Sequence, residues 1–289
     1  MPSPADVSIR AMTARDITAG LALCRAAHWN QTAADWEFFL SYAPDGALVA
    51  ECGGTVLGTV ATVPYGPFTW ISMVLVDPAS RGRGVGRELL HRGLELVPAH
   101  VTARLDATPA GEPLYRTLGF TPEYGIARWS VDPSARINAA AHEAPPRGRP
   151  VAIDDWPLIL QMDRHVFGAS RESLLRRLAN EAPEYASVFD TGGRLRAYVF
   201  GRHGHVRDHL GPLVADTRES AQRLLESCLA AQRGASFFLD APDRDDGWGD
   251  VLAALGFRIE RPFLRMHRGP LTTAGNPSVV FAVTGPEFG

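Results

Sequence analysis

With 289 residues, 45% hydrophobic and 21% charged, the chain has the length and apolar content of one large or two ordinary globular domains. A net charge of -3 without a basic tract argues against nucleic acid as a partner, and no apolar run reaches the length of a membrane span. All 29 basic residues are arginine, which excludes a Schiff-base lysine and the P-loop, whose lysine binds phosphate.

The N-terminus, Met1-Pro2-Ser3-Pro4-Ala5-Asp6, lacks the basic and apolar regions of a signal peptide, so a cytoplasmic location is expected. Thr13-Ala14-Arg15-Asp16 reads as a capping box opening a helix through Ile17, Leu21 and Cys24. Thr32-Ala33-Ala34-Asp35 reads as a second, opening a helix through Trp36, Phe39 and Leu40. Ala47–Cys52, the Gly53-Gly54 turn and Val56–Val63 predict a β-hairpin. Trp70–Val76 predicts a strand leaving through Asp77-Pro78, and Val85, Leu89, Leu90, Leu94 and Val97 fall near helical spacing. A strand over Val101–Thr108, a helix carrying Tyr115 and a closing strand over Tyr124–Val131 complete the first stretch. Cys24, Cys52 and Cys228 are odd in number and far apart, as expected of separate thiols rather than disulfides or metal ligands.

Between the Trp70–Val76 strand and the helix after it lies Arg81-Gly82-Arg83-Gly84-Val85-Gly86. A glycine-rich turn feeding a helix start gathers unpaired N–H groups and the positive end of the helix dipole, which suits a pyrophosphate. Arg81, Arg83 and Arg87 add charge. A dinucleotide fingerprint requires G-x-G-x-x-G directly after its strand; here the spacing is G-x-G-x-G after an intervening loop, although Asp106 falls about twenty residues on.

Arg81-x-x-Gly84-x-Gly86 resembles the [Q/R]-x-x-G-x-[G/A] signature of the GCN5-related N-acetyltransferase (GNAT) superfamily, and Leu114-Tyr115-Arg116-Thr117-Leu118-Gly119-Phe120 is similar to its L-Y-x-x-x-G-F segment. The resemblance implies acetyl-CoA as co-substrate, no metal, and an α/β (α+β) fold with a mixed, mostly antiparallel central sheet flanked by helices. It assigns cofactor binding to Met73, Val74, Leu75 and Val76, whose backbone is freed where two strands splay, and to Arg81, Gly82, Arg83, Gly84, Val85, Gly86 and Arg87. Tyr115 becomes the acid for the departing thiolate, since a phenol can protonate it at neutral pH.

The pattern then repeats. After a linker over residues 132–149, Ala152-Ile153-Asp154-Asp155 stands for Thr13-Ala14-Arg15-Asp16, and Gly192-Gly193 stands for Gly53-Gly54. Leu213–Asp216 echoes Val74–Asp77, Leu239-Asp240-Ala241 echoes Leu105-Asp106-Ala107, and Leu255-Gly256-Phe257 echoes Leu118-Gly119-Phe120. The expected organisation is tandem GNAT folds: a catalytic domain over 1–131, a degenerate domain over 150–268, and a tail over 269–289 whose Ser278–Val283 could complete a sheet edge. The second copy has no glycine-rich turn after Asp216 and has Leu252 in place of Tyr115, so its cofactor contacts should differ.

The base is not legible. Candidates are His28, Asp35, Tyr65 and Asp106; Asp35 can equally be a helix cap, and Asp106 a polar strand end, since Asp240 repeats it in the second copy. Trp29, Asn30, Asp35 and Trp36, joined by Tyr65 and Trp70, are the expected pocket for a cationic or ring-bearing amine, with core packing the alternative for Trp36. The resulting expectation is a monomeric or homodimeric N-acetyltransferase acting on a small primary amine by direct attack. A protein-amine acetyltransferase and a non-catalytic acetyl-CoA sensor or scaffold are the alternatives.

Overall fold

A computed structural model describes residues 7–135, 148–271 and 275–289. The first half runs β1 (Ser8–Ala11), α1 (Ile17–Ala26), α2 (Ala33–Tyr42), β2 (Ala47–Cys52), β3 (Thr55–Pro64), β4 (Phe68–Val76), α3 (Val85–Glu95), β5 (Thr102–Ala107), α4 (Glu112–Thr117) and β6 (Thr121–Val131). The second repeats that order: β7 (Arg149–Pro150), α5 (Trp156–Phe167), α6 (Glu172–Glu181), β8 (Ser187–Thr191), β9 (Arg194–Arg202), β10 (Asp208–Ala215), α7 (Arg218–Ala231), β11 (Phe237–Pro242), α8 (Trp248–Ala254) and β12 (Arg258–Arg268). A short strand, β13 (Val280–Ala282), follows. Residues 136–147 of the expected linker lie outside the described residues.

The repeat extends to side chains. Asp16 accepts from the Thr13 N–H at 2.8 Å, and Asp155 from the Ala152 N–H at 2.7 Å, so each closes the turn that starts the first helix of its half. Arg10 then bridges Asp16 and Glu51, while Arg149 bridges Asp155 and Asp190. The same ion triad thus ties the first strand to the first helix and the hairpin of each copy.

All thirteen strands form one sheet, ordered β1-β2-β3-β4-β5-β12-β6-β11-β10-β9-β8-β7, with β13 on β10. The closing strands are exchanged: β12 of the second half lies against β5, and β6 of the first half lies against β11. β6 and β12 pair with each other along nearly their whole length. Two buried ion pairs, one for each exchanged strand, hold this arrangement. Arg265 on β12 clasps Asp106 with both Nε and Nη2, at 2.7 and 2.8 Å, and Arg128 on β6 clasps Asp240 in the same way at 2.7 Å.

Only β4–β5 and β10–β11 run parallel, and both ladders are short. They pair over Phe68–Trp70 and Asp208–His209, after which the strands diverge. In the second half β13 fills the resulting gap, pairing Leu213 with Ala282 and Val214 with Val280, while the Val283 N–H donates to the Asp240 carbonyl at 2.8 Å. The tail therefore enters the interior of the sheet rather than extending its edge as expected. The reason is local: divergence leaves the inner edge of β10 without a ladder partner, and a buried strand edge must find one. In the first half no strand among the described residues occupies the corresponding gap.

Beyond β13 the chain runs into the seam between the halves. Phe288 stacks on Phe39 and meets Phe38 edge-on, each at 5.3 Å. Tyr65 donates to the Phe288 carbonyl at 3.0 Å, Trp70 to that of Pro286 at 2.9 Å, and Arg171 to that of Gly289 at 3.0 Å. No helix among the described residues is long and apolar enough to cross a membrane.

Candidate active site

The open gap of the first half continues into the glycine-rich turn. After β4, Asp77 accepts from the Ala79 N–H at 2.9 Å and fixes the sharp Asp-Pro exit. Gly82 and Gly84 have φ of +74° and +84°, left-handed conformations that cost other residues free energy, and Gly84 caps α3. The first N–H groups of α3 have no partner within the helix and converge on this turn. Arg81 donates to the Val76 carbonyl at 3.2 Å, and Arg81 and Arg87 are exposed on the same turn. The sequence-predicted cofactor residues are thus contiguous in space, from Met73 to Arg87.

At the inner end of the gap is a cleft bounded by Ile71–Val74 of β4, Asp106 of β5, Thr108 just after it, and Tyr115 of α4. Met73 has φ +53° and its carbonyl accepts from the Thr59 hydroxyl at 2.7 Å, which marks the kink where β4 leaves β5. Tyr115 is 9% exposed, packs edge-on to Phe120 at 5.9 Å, and its ring passes close to Gly111, where an added Cβ would stand 2.9 Å from Cε2. Burial raises the Tyr115 hydroxyl above its ordinary pKa, so it is protonated at neutral pH.

The predicted substrate pocket is only partly assembled. Trp29 lines the cleft; the other five residues do not. Asn30 is consumed by the loop before β10: its Oδ1 accepts from the Val206 and Arg207 N–H groups at 2.8 and 3.2 Å, and its amide donates to the Arg207 carbonyl at 2.7 Å. Asp35 caps α2 by accepting from the Thr32 N–H at 2.7 Å, and lies 3.4 Å from Arg202. Trp36 is fully buried against Phe39. Tyr65 and Trp70 spend their polar atoms on the tail, so they shape the site by positioning Pro286 and Phe288.

Among the base candidates, His28 is exposed. Asp106 does border the cleft, but both its oxygens are held by Arg265. Burial raises its pKa, with Arg265 opposing. Asp240, its counterpart, has an additional neighbour: His209 Nε2 lies 3.0 Å away. Burial works to raise Asp240 too, yet Arg128 and His209 outweigh it and hold that carboxyl well below the usual range.

Sequence reasoning missed Gln31, Ser72, Arg128, Arg261, Phe263, Pro286 and Glu287, all of which line the cleft. Arg261 and Phe263 come from the exchanged β12, and Pro286 and Glu287 from the tail. Their separation along the chain hides them; the only sequence signal is an acid and an aromatic placed in a Gly- and Pro-containing terminal run, Gly285-Pro286-Glu287-Phe288-Gly289.

The comparisons agree with this geometry. Residues 18–120 match the acetyltransferase (GNAT) family, and residues 159–282 match an acetyltransferase (GNAT) domain. Over 211 residues the chain is 22% identical to the uncharacterized N-acetyltransferase YitH of Bacillus subtilis, covering 71% of each protein. The fold is similar to that of a candidate acetyltransferase from Pyrococcus horikoshii, with TM-score 0.82, 23% identity and coverage of 98% of this chain and 96% of that one. It is also similar to a tandem GNAT protein from the clavulanic acid biosynthesis pathway, with TM-score 0.66, 18% identity and coverage of 91% and 99%. The chain belongs to the GNAT superfamily and carries two of its domains. It is an acetyltransferase.

Proposed function

We infer that the chain transfers an acetyl group from acetyl-CoA to a small primary amine, by direct attack on the thioester, with the donor held by its N-terminal half alone. Members of this superfamily generally use acetyl-CoA, and the residues of the first half fit such a donor. The left-handed turn and the start of α3 would receive the pyrophosphate, and the kinked Met73–Val76 segment the pantetheine arm. The observation that carries the reading is the contrast between the two gaps: β13 fills one, and the other leads from the glycine turn to Tyr115.

Three features support direct attack on a small acceptor. Cys24 and Cys228 are buried with their thiols pushed up to about 12, and no cysteine lines the cleft. Tyr115, a phenol protonated at neutral pH and bordering the cleft, is the acid for the departing thiolate. Trp29, Arg261 and the tail close the acceptor side, which favours a small molecule over a protein side chain.

Calorimetric titration with acetyl-CoA is expected to give one site per chain, and a screen of amine metabolites with acetyl-CoA to give products heavier by one acetyl group. Two equivalent sites, or transfer only to protein amines, would refute the reading.

A further inference from the structure

Buried polar atoms without partners are rare in folded proteins, and each requires an explanation. Three such atoms line the candidate cleft: Gln31 Oε1, Ser72 Oγ and Glu287 Oε2, on residues 4%, 7% and 2% exposed. They come from the segment before α2, from β4 and from the tail, and converge from three directions. Glu287 is the charged one. Its Oε1 is paired with Arg202, which also lies 3.4 Å from Asp35, while Oε2, on the cleft-lining residue, accepts no hydrogen bond among the described residues. Asp106 offers no such free oxygen.

The cleft also holds a cation without a counter-ion. Arg261 forms no ion pair among the described residues and contacts the Phe263 ring at 5.0 Å. By contrast, Arg128 beside it is bidentate on Asp240. Burial and the nearby Arg128 lower the Arg261 pKa to about 10, against the weaker opposing pull of Asp240 and Glu260. One end of the cleft thus presents unpartnered acceptors, and the other a guanidinium with no direct ion pair.

We propose that the acceptor is a zwitterionic amine, a primary ammonium joined to a carboxylate, whose ammonium is held and deprotonated by Glu287 with Gln31 and Ser72, and whose carboxylate pairs with Arg261. This rests on the acetyl-transfer reading above. Glu287 Oε2 takes one proton from the ammonium, and the freed lone pair forms the new N–C bond as the thioester C–S bond breaks. Tyr115 gives its proton to the leaving sulfur and recovers one from the acylated nitrogen. The products are an acetamide, a thiol and one proton on Glu287, released to solvent. The titratable and charged groups sharing the cleft with Glu287 are Asp106, Tyr115, Arg128 and Arg261, with Arg202 behind it.

The test pairs L-amino acids and other amino-carboxylates with their carboxamides, after acetyl-CoA binding by the wild-type protein has been checked by calorimetry. Absence of that binding would sink the acetyl-transfer reading itself. With binding present, transfer to at least one amino-carboxylate, at least about tenfold better than to its amide, is expected. Arg261→Met should raise KM for the acid about tenfold or more and leave the amide unchanged. Glu287→Gln, which keeps the shape and the Arg202 contact, should lower kcat about 100-fold at pH 7, with the deficit shrinking as pH approaches the amine's own pKa. A purely structural role for Glu287 predicts a deficit independent of pH. If Glu287→Gln does not fold, Gln31→Met should weaken calorimetric binding of the same amino acid in the presence of CoA at least threefold. Binding of acetyl-CoA without transfer to any amino-carboxylate overturns the proposal, as do equal rates for acids and amides, a pH-independent Glu287→Gln deficit, or unchanged binding by Gln31→Met.

Discussion

Tyr115 owes its place to a six-residue helix and its raised pKa to burial, and only the first of these is visible in a motif. In the proposed mechanism its hydroxyl bears on bond breaking rather than on donor binding. Tyr115→Phe should therefore lower kcat by about 10²- to 10⁴-fold while the calorimetric affinity for acetyl-CoA stays within about twofold of wild type. An undiminished rate would remove its role as acid. The raised pKa also means that its titration should not shape the rate profile near neutrality. Asp35 and Asn30 show why other residue-level expectations failed. Asp35 closes its own helix start, while Asn30 satisfies the backbone of a loop in the other half, so buried backbone groups took both before a substrate could use them.

At the scale of elements, one short strand and a turn distinguish the two halves. The turn before α3 needs Gly84 in its left-handed conformation. Gly84→Ala is expected to cost about 1–2 kcal/mol of stability, read from denaturant midpoints, and to raise KM for acetyl-CoA several-fold. Unchanged values of both would mean that the turn does not depend on this conformation. The second half kept the strand order but lost the turn, and β13 took over the vacant ladder. The same element pair gives an acid response. Burial lowers the His209 pKa to about 4 from the ordinary 6.5, against the opposing pull of Asp240. Above pH 6.5 neither folded nor unfolded chain binds this proton. Between 6.5 and about 4 the unfolded chain takes it and the fold does not, so stability should fall as pH drops through that window, by up to about 3 kcal/mol. His209→Asn should flatten that part of a stability-against-pH curve; an unaltered slope would assign it to other groups.

Across the whole molecule, exchange of β6 and β12 makes each half depend on the other for its closing strand. Arg128–Asp240 and Arg265–Asp106 guard this exchange from matched positions, and removing one partner leaves an uncompensated buried charge. Arg128→Ala is expected to cost about 3–5 kcal/mol, measured by denaturant unfolding, and the double change Arg128→Met with Asp240→Leu considerably less. Equal losses in the single and double variants would show that the charges themselves are not what the interior penalises. The exchange also carries Arg261 and Phe263 from one half into the cleft of the other, so the second copy contributes to the site without a cofactor gap of its own.

The repeat, the two motifs and five strands of the first half were legible in the chain, because alternation, capping boxes and glycine turns act over a few residues. Val56–Val63 and Val101–Thr108 stand in the structure as Thr55–Pro64 and Thr102–Ala107. The equivalence of Asp106 and Asp240 was legible too, and it pointed correctly to a structural role. Their arginine partners were not, since nothing local says that closing strands will cross to the opposite half. The acceptor side was beyond reach for the same reason. Gln31, Ser72, Arg261 and Glu287 meet only after the sheet has joined both copies and the tail has been drawn into the gap beside β10. Local sequence determined the turn that can grip a phosphate and the tyrosine beside it. The long-range need to pair buried strand edges and buried charges decided which gap stayed open and what faces it.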